Sequence, residues 1–94
     1  MPEHAPILAD RTALVDRSVT ELSLLAKEGS PDAVVEVLFT RYEDEDAHIL
    51  VYLPEGTSET QMDRLRDVLL KRSVEILDEG GLLILVGVYE RGEE

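Results

Sequence analysis

The chain has 94 residues, 44% of them hydrophobic, and its 21 acids against nine Lys and Arg leave a formal net charge of −12. That length predicts one small domain over residues 1–94, burying only about 60–65% of its unfolded surface, so the core is adequate and self-association would help it. The charge excludes a phosphate-neutralising groove for nucleic acid and disfavours an anionic membrane surface, and the lack of cysteine excludes disulfides, zinc–cysteine sites and thiol catalysis.

The first ten residues, "MPEHAPILAD", hold neither a basic leader region nor a long apolar run, and the most apolar stretch, "LLILVGV", is less than half of what a membrane helix needs. A cytoplasmic protein is expected. Only four aromatic residues are present, Phe39, Tyr42, Tyr52 and Tyr89, so the core must be aliphatic. Asn is absent and Gln61 is the sole Gln, which removes the usual amide side chains of substrate recognition.

Residues 1–5 carry no pattern and read as a flexible tail. From Asp10 to Glu28, Val15, Val19, Leu22 and Ala26 recur at spacings of 4, 3 and 4, one stripe of an amphipathic helix widened by Leu14 and Leu25. Asp10 is placed to cap its start and Gly29 its end, and "SPD" then turns the chain.

"AVVEVLFTRY", 33–42, and "AHILVYL", 47–53, are rich in β-branched and aromatic residues and read as a hairpin. Matching their apolar faces sets Arg41 opposite Ala47 or Ile49, with an odd-numbered connection. Pro54-Glu55-Gly56 ends the second strand. "SETQMDRLRDVLLKRSVEILDEGG" opens with Ser58 and Gln61 in capping-box spacing and places Met62, Leu65, Leu69 and Ile76 on one helical stripe, with Gly80 expected at the stop. "LLILVGVYE", 82–90, is apolar on both faces, as a covered strand would be. Residues 91–94, "RGEE", form a flexible C-terminus.

The order α-β-β-α-β predicts an α+β two-layer sandwich with two helices on one face of a three- or four-stranded sheet. Should "PILA", 6–9, add a short leading strand, the element order becomes that of the split βαβ, ferredoxin-like arrangement. The crossover through the second helix should be right-handed. Alternation puts Val35, Val37, Phe39, Ile49, Val51, Leu53, Leu82, Ile84, Val86 and Val88 on the helix side. The other face receives Leu38, Leu50, Tyr52, Leu83, Leu85 and Tyr89, with Val34, Glu36, Thr40, Tyr42 and His48 beside them. Two helices cannot cover both faces, so that second face is the expected association surface, with Glu36 and His48 at its rim. The competing expectation is that the first helix or the N-terminal tail covers it.

Candidate chemistry is sparse. Glu43, Asp44, Glu45 and Asp46 with His48 raise the question of a cation site, and Glu43, Asp44, Asp46 and His48 are its weak candidates. An EF-hand reading fails because its sixth position, counted from Asp44, is Ile49 and not Gly, and Asp46 with His48 supplies too few ligands for a transition metal. A solvated hairpin tip, whose charges discourage strand pairing, is the plainer expectation. His48 is also a titrating group near neutral pH that could tune association. "PEGTSET" leads into a helix N-terminus, but Glu55 and Glu59 stand where an anion would bind, and no phosphate-loop Lys is spaced for it. No serine sits in a nucleophile elbow, and Arg64, Arg66, Lys71 and Arg72 are interleaved with Asp63, Asp67 and Glu75, a pattern of intrahelical ion pairs.

These features predict a non-catalytic interaction or regulatory module without a cofactor, homodimeric through its open sheet face. The alternatives are a small-ligand or cation-binding domain using the crevice between subunits, with Tyr42, His48 and Tyr52 as polar handles, and an acidic mimic that binds a basic protein partner.

Overall fold

The computed structural model describes residues 7–39 and 45–91, with side chains in the first helix from Thr12 onward. Its elements are α1 (Ile7–Gly29), β1 (Val34–Leu38), β2 (Ala47–Leu53), α2 (Glu59–Gly80) and β3 (Ile84–Glu90). Among the described residues there are two helices and a three-stranded mixed sheet of order β1-β2-β3, compatible with a two-layer sandwich.

α1 begins at Ile7, so residues 7–9 are its first turn and not a leading strand. Asp10 therefore lies inside the helix and does not cap it. β2 and β3 are direct, parallel neighbours, which closes the slot a split βαβ would give to a strand between them. The unit is a plain βαβ crossover preceded by a helix and an antiparallel strand, not the ferredoxin-like order.

Val15, Val19, Leu22 and Ala26 of α1 are all buried, as are Leu65, Leu69 and Ile76 of α2. They pack on Ile49, Val51, Leu53, Ile84 and Val88, with Val35, Val37 and Val86 partly buried at the margin. Both helices thus lie against one sheet face. Fully burying one aliphatic side chain such as Leu22 or Leu69 contributes about 1.5–3 kcal/mol, and this is where the stability of the chain resides.

β1 is shorter than expected and its register differs. Val37, not Phe39 or Arg41, lies opposite Ile49, and Leu38 lies opposite His48. Because the displacement is by an even number of residues, each side chain keeps its expected face. It carries Ala33, Val35 and Val37 over the core and expels Phe39, which is 54% exposed just past the strand end. Phe39 is therefore not the core residue that alternation suggested.

Local chemistry fixes the ends. The Ala33 N–H donates to the Ser30 carbonyl at 2.9 Å, closing a turn through Pro31 and Asp32. The Ser58 hydroxyl accepts from the Gln61 N–H at 3.1 Å and caps α2. Its far end stops one residue later than expected: Gly80 is helical and Gly81, at φ 71°, is the left-handed cap, donating to the Leu77 carbonyl at 2.8 Å. Between the helices, Arg72 Nε and Nη2 donate to the two carboxylate oxygens of Glu21, at 2.5 and 3.2 Å. No described helix is long and apolar enough to cross a membrane.

Candidate association surface

Alternation along each strand sends every second side chain away from the helices, and the ladder partners place them in three rows. Val34, Tyr52 and Tyr89 form one; Glu36, Leu50 and Gly87 the next; Leu38, His48 and Leu85 the third. Among the described residues no element lies over this face. Val34 is 49% exposed, Leu38 37%, Leu85 40% and Tyr89 43%. Leu50, Tyr52 and His48 are half-buried because β2 is flanked on both sides.

The residues singled out from the sequence fall as follows. Glu36, Leu38, His48, Leu50, Tyr52, Leu85 and Tyr89 share the open face. Leu83 precedes β3 and is half-buried at its entrance. α1 packs with α2 on the other side, so it does not cover the face. Thr40 and Tyr42, expected at the rim, lie outside the described residues, as do Glu43 and Asp44.

Two of the four acids contradict the picture of a solvated tip. Glu45 and Asp46 are 8% and 7% exposed. Asp46 Oδ2 accepts from the Leu83 N–H at 2.9 Å, while the Asp46 N–H donates to the Leu83 carbonyl at 2.7 Å. This two-way clasp ties the entrance of β2 to the entrance of β3, a backbone-pairing duty that sequence could not show for one acid among four. Among the described residues, no three His, Asp or Glu side chains converge as metal ligands.

The surface has one detail that the sequence hinted at only through a glycine in a strand. A β-carbon on Gly87 would stand 2.6 Å from the Tyr89 hydroxyl and 2.8 Å from its Cε2. The Tyr89 ring therefore lies down along its own strand over Gly87, and no larger residue there would leave it room. Its centroid is 5.8 Å from that of Tyr52, with the planes inclined by 31°. A tilted pair of this kind adds about 0.5–1.5 kcal/mol beyond area burial. The face is thereby kept low: two rings and four aliphatic side chains on a three-stranded floor.

Hollows exist elsewhere. One of about 330 Å³ lies between the end of α1 and the start of α2, lined by Leu25, Gln61, Arg64, Leu65 and Val68 among others. Another of about 230 Å³ adjoins it at Ser30, Pro54 and Thr57. Neither is lined by His48 or Tyr52, the handles expected for a ligand. At the sheet margin, Arg66 Nη2 donates to the Val88 carbonyl of edge strand β3 at 3.4 Å, placing a charge where another strand would have to approach. No family model, curated protein or solved structure matches this chain.

Proposed function

We propose that this protein is a small non-catalytic interaction module that associates with a second copy of itself through the open face of its sheet. The observation that carries the reading is the uncovered set Val34, Leu38, Leu85 and Tyr89 on the face opposite both helices. Pairing such a face takes its apolar side chains out of water, which favours association.

Charge selects the partner. Two copies of net charge −12 repel, so they meet at least cost where acids are fewest. The three rows of the open face contain one acid, Glu36, whereas Asp63, Asp67, Glu75, Asp78 and Glu79 are all exposed on α2. A basic protein would be drawn to the net negative charge of the chain, and this is the second reading.

Area sets the strength. Three strands about 4.8 Å apart and five residues long at about 3.3 Å each project to roughly 14 × 17 Å. Stable specific interfaces bury about 800 Å² on each partner, several times that projected footprint. So small a footprint favours a weak, reversible association over a permanent one. Sedimentation of Leu50→Asp beside the native chain tests the reading: the variant should keep the native circular dichroism spectrum and lose association. Unfolding of the variant would place Leu50 in internal core and sink the reading.

A further inference from the structure

The three rows of the open face are not symmetric across β2. In the middle row, Glu36 on β1 and Gly87 on β3 flank Leu50, a long charged side chain on one edge and no side chain on the other. Two copies can meet face to face about a twofold axis lying between the sheets in two strand-aligned ways. An axis across the strands sets β1 on β1 of the partner. Glu36 then faces its own copy, two like charges drawn out of water, and the Tyr89 rings that lie over each Gly87 face one another. An axis along β2 sets β1 over β3 of the partner. Leu50 then meets Leu50, Leu38 meets Leu85, Val34 meets Tyr89, and Glu36 meets the edge of the Tyr89 ring that lies over Gly87.

We propose, resting on the self-association reading above, that two copies pack about an axis running along β2, with Glu36 of each set against the Tyr89 hydroxyl that lies over Gly87 of the other. The geometry of Tyr89 completes the fit. Its ring lies over Gly87, with the hydroxyl 2.6 Å from the missing β-carbon, so a donor waits where the incoming carboxylate arrives. Glu36, the one acid of the three rows, thus meets a hydroxyl that donates to it. Aligned sheets pack rotated by about 30°, and a rotation centred on Leu50 moves its ladder neighbours by only about 2.5 Å. The middle row is therefore the part of the match that survives the rotation best.

The chain has no cysteine, so single introduced cysteines report on proximity without background. Leu38→Cys and Leu85→Cys chains, mixed and treated with a short bismaleimide, should give a mixed covalent dimer, and His48→Cys alone should link to itself. Linking of Leu38→Cys with Val34→Cys in place of Leu85→Cys would show the axis to run across the strands and overturn the inference, while the self-association reading stands. Monomeric sedimentation of the native chain would overturn both. A double-mutant cycle gives an independent check. Glu36 and Tyr89 lie on opposite edge strands with β2 between them, so coupling of Glu36→Gln with Tyr89→Phe must cross the interface. Each single variant should weaken association about 2- to 10-fold and the double variant by less than the product. Independent effects would contradict the contact.

Discussion

Gly87 and Tyr89 stand two residues apart on β3 and occupy one space: the tyrosine ring fills the volume over the glycine, where a β-carbon would be only 2.6 Å from the hydroxyl. The ring is the far end of a flexible side chain, so a methyl group there is accommodated by swinging it outward. Gly87→Ala should therefore fold and melt within a few degrees of the native chain, while weakening association by raising Tyr89 into the space of the partner. A Gly87→Ala chain that associates as tightly as native would show that the flat ring has no part in the contact.

The two sheet faces should respond differently to truncation. Leu69 is wholly buried between α2 and the sheet. Leu69→Ala should cost about 2–5 kcal/mol, a large part of the ~5–15 kcal/mol that holds a domain of this kind. Leu50→Ala, on the half-covered face, should lower the melting temperature of the dilute monomer by less than half as much. Thermal melts at low concentration compare the two directly.

Asp46 should behave as a structural acceptor. Asp46→Ala leaves the half-buried Leu83 N–H without its carboxylate and should cost about 1 kcal/mol. Asp46→Asn keeps one acceptor oxygen and should lose less. Millimolar Ca²⁺ or Zn²⁺ should leave the native melting temperature unchanged, and a rise would revive the cation reading of Asp46 and His48.

Arg72 joins the helices through a fork on Glu21, with Glu75 accepting a further hydrogen bond at 3.1 Å. These bonds, first to Glu21 and then to Glu75, raise the guanidinium pKa above its already high ordinary value. A raised pKa on a cation gives stability that is present below the unfolded value and lost only as pH rises through the folded one. Arg72 itself therefore adds no pH dependence between pH 6 and pH 9. Arg72→Lys supplies a charge but no fork and should melt lower than native. The difference should shrink in 1 M salt, because the pair is partly exposed.

Much of this architecture was legible in the residues. The helical stripes from Val15 to Ala26 and from Leu65 to Ile76, and the alternation of β2, placed the layers and assigned the open face. What escaped was decided by longer-range competition. Ile7–Ala9 resembled a strand locally, yet α1 begins at Ile7, and direct pairing of β2 with β3 left a leading strand no place. Phe39 suited the core by parity, but the register that buries Ala33 and half-buries Val35 and Val37 carries it past the sheet. Asp46 looked like one charge in a run, since nothing in its neighbours says that Leu83 will stand beside it. Gly87 was the one visible clue to the Tyr89 ring, because glycine inside a strand marks close approach.

The most direct measurement is the sedimentation mass of the native chain through a dilution series around 10–100 μM, in low and in moderate salt. Burial of a low-charge face between two strongly acidic copies predicts a mass that rises from 10.5 kDa toward twice that value with concentration. Added salt should tighten the association by screening the net repulsion. A mass of 10.5 kDa at every concentration and salt would contradict self-association through the open face.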